Sequence, residues 1–325
     1  MKKQTYILSL ACGLLLLPNL SMKGQNTLLS GEKVEMLPYG NMNTWMVRHV
    51  KESWAIGGNE KYFYEIAKGD TLYDEPYKNV DSPWAVSSVL AKVSGITKVS
   101  STVFPEKRGN GYAARLETKI EKVKVLGLIN INVLASGTVF LGEMLEPITS
   151  TSDPMKKLVA GIPFTKRPKA LQYDYKVITG GDCIQSTGFS KQKKLDQKDM
   201  AEVFLYLQHR WEDASGNIYA KRVGTAWENF SKSQTEWQNG HRLKIHYGDI
   251  TSNPIYTKAM ELRKDDGAHY TKNSKGEMVP IQEVGWATEN EAVTHLMLQF
   301  SSSNGGAYIG NVDSRLWIDN VGFVY

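Results

Sequence analysis

The sequence predicts an all-β fold, a sandwich or barrel of antiparallel strands with long loops, and three observations predict it. Short β-rich runs recur with turn residues between them at intervals of roughly ten residues. Several of those runs alternate apolar and polar side chains with period two, as a strand with one face in a core does. No heptad pattern, no solenoid-length repeat and no long amphipathic helix competes with that reading. With 325 residues, 41% hydrophobic and 22% charged, the chain has ample material for one core.

Residues 1–24 read as a secretory signal peptide. Lys2 and Lys3 precede an apolar run from Tyr6 to Leu17, which Pro18 breaks and small and polar residues follow. That run is too short to cross a bilayer, and no later segment reaches the length a membrane helix needs. Cleavage near Gly24-Gln25 fits better than lipoprotein processing at Ser9-Leu10-Ala11-Cys12, which would make Leu14 to Leu17 the start of the mature chain. The expectation is an exported protein: periplasmic, on the outer surface or secreted. Cleavage leaves Cys183 as the sole cysteine, so an internal disulfide is excluded and stability has to come from burial. It also removes Lys2, Lys3 and Lys23 and no acid, so the formal charge falls by three from +5 to +2. A nucleic-acid partner is not expected at that charge.

Residues 25–36 read as a polar, flexible lead, and 37–325 as one domain with no convincing linker. Trp45 lies in the first ordered stretch, and Trp54 to Asn79 is tyrosine-rich and punctuated by glycines and Pro76. In Gly111 to Lys119, Tyr112, Ala114 and Leu116 share one side, while Arg115, Glu117 and Lys119 share the other. Val123 to Ala135 is more continuously apolar, as a strand covered on both faces or a buried crossover would be. Ser136 to Glu143 is β-rich with glycines at both ends. Prolines at 163 and 168 stiffen the lead into the clearest alternation, where Leu171, Tyr173, Tyr175 and Val177 oppose Gln172, Asp174 and Lys176. Glu202 to Glu212, the turn Asp213 to Asn217 and Ile218 to Thr225 read as a hairpin. Leu243, Ile245 and Tyr247 predict a further strand, which Gly248-Asp249 ends. Lys264 to Met278 reads as an exposed excursion. Leu296, Leu298 and Phe300 predict a buried strand face before the closing strand pair.

The runs "SGTVFLGE" and "AGIPFTKRPKALQYDYKV", with "GYAARLET" before them and "SRLWIDNVGFVY" at the end, resemble the putative carbohydrate metabolism domain family of exported bacterial proteins. These pieces fall between about Gly111 and Tyr325, and a looser likeness reaches back to Asn41. It implies a jelly-roll, galactose-binding-like β-sandwich akin to carbohydrate-binding modules and a role in handling glycans. It carries no catalytic residues over to this chain.

Signatures of common catalytic sites are absent: no GxSxG, Walker loop, HExxH, CxxC or dinucleotide glycine fingerprint occurs. Eight tryptophans and 16 tyrosines supply the other chemistry that a glycan needs, an aromatic plane for the C–H face of a sugar beside planar polar groups for its hydroxyls. The candidate carbohydrate-binding residues are Trp84, Arg115, Arg222, Trp227, Trp237, Tyr247 and Asp249, against a core-packing role for any one tryptophan. The expected partner is a polysaccharide or oligosaccharide, bound by a monomer. A glycoside hydrolase with a carboxylate pair is the alternative, Glu117, Glu143, Glu212, Glu228 and Asp249 being the acids considered. A surface structural or adhesive protein is the third reading. No cofactor is expected beyond a structural calcium, for which Asp319 in the last strand is the candidate ligand.

Overall fold

The computed structural model describes residues 31–325 apart from 94, 126–128, 151–152, 189–190 and 289. Two large sheets face each other across the main core. In sheet I the spatial order is Gln234–Lys244, Ala170–Ile178, Arg315–Val324, Gly111–Glu117 and Val103–Arg108, with Val34–Met36 beside the end of Arg315–Val324. In sheet II it is Leu158–Ala160, Thr138–Met144, His295–Ser301, Ala201–Glu212, Ile218–Phe230, Met278–Trp286 and Tyr270–Lys272. Neighbours on these two paths pair antiparallel except Ile218–Phe230 with Met278–Trp286, which run parallel. The all-β sandwich expected from the period-two pattern is the fold observed.

The alternation explains the layers. Leu171, Tyr173 and Val177, with Leu316, Ile318 and Phe323, point inward from sheet I. They meet Val203, Leu205, Leu207, Leu296, Leu298 and Phe300 of sheet II. Each side chain so buried stabilises the fold by about 1.5–3 kcal/mol relative to exposure. Tyr175 is the exception in its row: it is half-buried at the sheet margin, 4.7 Å from the Phe230 ring and 5.1 Å from His241.

Sheet II is covered on its other side too. From Ala201–Glu212, Phe204 and Tyr206 point outward and cluster with Ile218, Ala220, Ile281 and Met297. The chain around Ala259 to His269 lies against them, with the Tyr206 hydroxyl donating to the Ala259 carbonyl and the His269 ring 5.5 Å from Phe204.

Several expectations need correction. Ordered structure begins inside the supposed lead, because Val34, Glu35 and Met36 pair with Val324, Phe323 and Gly322; residues 1–24 and the rest of the lead up to 30 lie outside the described residues, as does Cys12. The apolar stretch Val123 to Ala135 is neither a single strand nor a crossover. It belongs to a hairpin of Lys119–Val125 and Ile129–Ala135, in which Lys119 pairs with Ala135 and Val125 with Ile129. The return strand of the 201–230 hairpin continues to Phe230, past the expected end at Thr225. The expected 243–247 strand is broken at Ile245, which is buried, leaving Gln234–Lys244 in sheet I and His246–Tyr247 in sheet II. Lys264 to Met278 is not a wholly exposed excursion, since Ala268 is buried and Tyr270–Lys272 joins sheet II.

A smaller sheet, Glu60–Ile66, Trp45–Lys51 and Thr71–Tyr73, packs through Val50 and Phe63 on Leu90 and Val99 of a separate hairpin. Inside it the buried Arg48 guanidinium lies 2.7 Å from Glu146 and 3.3 Å from Glu65, and over the Phe63 ring at 4.3 Å. Burial pushes Glu65 up to about 8, against the pull of Arg48 and with the help of Glu146. Its folded-state value lies above its unfolded one, so the native state holds a proton that the unfolded chain releases. The resulting stability is complete below about pH 4.5 and is lost as pH rises through 8. Melting temperature is therefore expected to fall between pH 5 and pH 8.5 by at least about 1.5 °C, the shift that roughly 1 kcal/mol produces in a chain of this size. Glu65→Gln should flatten that slope; an unchanged slope in the variant would exclude Glu65 as its source.

Candidate functional site

The outward face of sheet II places an acid, an indole and two carboxamides in adjoining cross-strand rows. Register pairs Glu202 with Asn229 on one side and Ser301 on the other, and the next row pairs Phe204 with Trp227 and Gln299. The arrangement follows from the pleat: Ala201, Val203 and Leu205 take the core side, so Glu202 and Phe204 must take the opposite one. The Trp227 indole N–H donates to Glu202 at 2.9 Å, which fixes the ring. Burial raises the Glu202 carboxyl above the ordinary range, opposed by that indole and by the charge of Arg263.

These residues form the floor of a cavity of about 1080 Å³, at the upper end of the range for small-molecule sites. The hairpin Val89–Val93 and Ile96–Ser100 and the strand Ile129–Ala135 contribute one wall, Met144, Ile148, Met155 and Leu158 a flank, and Thr257 to His269 another. Among the acids lining it, Glu121 is held by Lys119 at 3.0 Å and Lys98 at 3.7 Å. Asp266 is exposed and has no ion pair among the described residues. His269 is driven down to about 3 by burial and by Arg263, so it faces the cavity as a neutral imidazole.

Beside the cavity a buried polar chain anchors sheet II. Arg222 Nε donates to Glu283 at 2.6 Å, Gln208 donates to the same carboxylate at 2.6 Å, and Arg210 Nε donates to Gln208 at 2.6 Å. The Arg263 backbone N–H, at the cavity's edge, donates to the other Glu283 oxygen at 2.6 Å. Burial alone would raise Glu283; Arg222 and these donors outweigh it, and the carboxyl lies below its ordinary value.

The residues expected to bind sugar do not converge. Trp227 lines the cavity. Trp84 is fully buried, its indole donating to the Pro38 carbonyl at 2.9 Å, and Arg222 is fully buried against Glu283 and the Tyr206 ring; neither presents a face to a ligand. Trp237 and Arg115 lie on the outer face of sheet I, on the far side of the sandwich. There the Arg108 guanidinium covers Trp237 at 3.9 Å, and Arg115 lies between Glu106, Glu117 and the Phe104 ring. Tyr247 donates to the Pro168 carbonyl at 2.6 Å with Arg167 over its ring, and Asp249 caps a turn by accepting from Thr251. The other acids considered are engaged elsewhere: Glu117 with Arg115 and Arg315, Glu143 with Lys272, Glu212 with Ser274, Glu228 with His241 and Tyr173.

Asp319 does not fit a calcium site. Its carboxylate accepts from Arg108 at 2.6 Å and from the Asn320 N–H, and the same guanidinium reaches Asp174 at 2.9 Å. A calcium ion needs about six to eight oxygens, and a guanidinium occupies the place where one would stand. Among the described residues no group of three or more His, Cys, Asp or Glu could hold a metal ion.

Glu202 and Asn229 were missed by the sequence reading. A signal for them existed: Ala201 to Leu207 is apolar on one side and Glu202-Phe204-Tyr206 on the other, so both faces are covered and an acid among aromatics needs a reason to be there.

Among the described residues no helix is long and apolar enough to cross a membrane. No curated protein matches the chain. Two solved structures that resemble it are each described as a putative glycoside hydrolase. One, from Bacteroides thetaiotaomicron, is 15% identical over 82% of this chain and 75% of its own, with a TM-score of 0.41. The other, from Bacteroides vulgatus, is 13% identical over 90% and 94%, with a TM-score of 0.40. The family model matches residues 58–324, inside the span from Asn41 to Tyr325 over which the likeness was read, and the chain belongs to the putative carbohydrate metabolism domain family.

Proposed function

We propose that the protein is exported and assists polysaccharide utilisation by binding a glycan in the cavity on the outer face of sheet II. The observation that supports this reading is the Trp227 indole, fixed by Glu202 beside Asn229 and Gln299. A ring held in place offers its plane to the C–H face of a pyranose at little entropic cost, and the carboxylate and carboxamides offer both donors and acceptors to its hydroxyls. Family membership supports a carbohydrate ligand. The protein acts as a monomer with no nucleic-acid partner.

A hydrolytic reading has one observation in its favour. Glu202, raised by burial, is suited to hold the proton a departing glycosidic oxygen needs, and Asp266 is a further lining carboxylate, without the ion pairs that hold Glu121. Retention would require the pair about 5–5.5 Å apart and inversion about 6.5–9.5 Å. Reducing-end release from a polysaccharide panel, measured for wild type and Glu202→Gln, separates the two. Binding without release in both proteins is the outcome expected of a binder. Release by wild type that falls at least 100-fold in Glu202→Gln, with binding retained, would establish the hydrolase instead.

A further inference from the structure

The cavity is two-faced, and that asymmetry bears on what fills it. Beside the polar and aromatic floor stands the hairpin Val89–Val93 and Ile96–Ser100, whose register pairs Val89 with Ser100, Ala91 with Lys98 and Val93 with Ile96. Leu90 and Val99, on its other face, are buried against Val50 and Phe63. The alternation therefore turns Val89, Ala91, Val93 and Ile96 toward the cavity, and Ile131 and Val133 of the neighbouring strand join them. None of these six is fully buried by the protein itself, and Val93 is 36% exposed. The charged group nearest this wall is not free to recognise a ligand, because Lys98 is held by Glu52 at 2.9 Å as well as by Glu121.

A plain saccharide filling this space would press hydroxyls against hydrocarbon on one side, and each hydroxyl stripped of water without a partner is costly. A ligand with a sugar at one end and a hydrocarbon substituent at the other meets no such cost, and gains from every methylene it hides.

The geometry points to an amphiphilic saccharide as the ligand: a glycan unit carrying an alkyl or acyl chain, its sugar on Trp227, Glu202, Asn229 and Gln299 and its chain along the Val89, Ala91, Val93, Ile96, Ile131 and Val133 wall. This rests on the glycan reading of the same cavity and adds the chemical class of the ligand to it.

The test is calorimetric titration of the full mature chain with methyl, hexyl, octyl and decyl β-D-glucopyranosides below their micelle-forming concentrations, and with a decyl chain on a tetra(ethylene glycol) head. Full burial of each methylene tightens binding about fourfold, so affinity should rise on the order of 100-fold from hexyl to decyl, with the sugar head bound more tightly than the glycol head. Ala91→Trp, which fills the space along the wall, should remove the dependence on chain length; its melting curve shows whether the variant is folded. Equal affinity for methyl and decyl glucosides would overturn the inference and leave the glycan reading standing. Chain-length dependence with no preference for the sugar head would overturn the glycan reading and the sugar half of this one. Failure of every glucoside to bind would overturn both.

Discussion

Glu283→Ala is expected to destabilise the protein by about 3–5 kcal/mol, the cost of stranding a buried charge. The carboxylate serves Arg222, Gln208 and the Arg263 backbone N–H together, and both Arg222 and Glu283 are sealed from solvent. Alanine leaves the guanidinium over the Tyr206 ring without its counter-charge. Denaturant unfolding monitored by tryptophan fluorescence measures the loss. The double variant Arg222→Met with Glu283→Leu should recover much of it, because it removes both charges and keeps the volume filled. A single variant as stable as wild type would show that the pair contributes nothing. Since Arg263 borders the cavity, Glu283→Ala should also weaken ligand binding, linking the anchor of the sheet to the site above it.

Trp227→Ala is expected to weaken glycan binding by at least about 30-fold, the scale of a central aromatic anchor. Two effects combine. The ring proposed to carry the sugar is gone, and Glu202 loses the indole N–H that opposes its burial. The carboxyl should then titrate higher still, so the variant's residual binding should change with pH over a more alkaline range than the wild type's. Trp227→Phe keeps a plane without the donor and should fall between the two. Calorimetry with the same oligosaccharide across all three proteins reads both effects, and equal affinities would remove Trp227 from the site.

Much of the fold was legible because strands write their faces into the sequence with period two. Leu171, Tyr173 and Val177 did so, and Leu296, Leu298 and Phe300 likewise. The stretch Val123 to Ala135 carries Lys124, Asn130 and Asn132 among its apolar residues, and taking it as one continuously apolar run hides its division into two paired strands. The proposed site was legible in residue type but not in place. A tryptophan and planar polar residues do line the cavity, yet Trp84 lies in the core, Trp237 on the opposite face under Arg108, and Trp227 alone of the named rings lines the cavity. Which face of which sheet an indole joins depends on pairings between strands far apart in the chain, such as Glu202 with Ser301, and local patterns do not encode those. Asp319 shows the same limit: its neighbour proved to be Arg108, 211 positions away.

The two faces of the sandwich can be set against each other in one measurement, electrophoresis through gels containing a dissolved polysaccharide, with wild type, Trp227→Ala and Trp237→Ala run side by side. Binding in the sheet II cavity predicts retardation of wild type and Trp237→Ala and free migration of Trp227→Ala. Retardation of Trp227→Ala equal to wild type, or its loss in Trp237→Ala alone, would contradict the assignment of the glycan to that cavity.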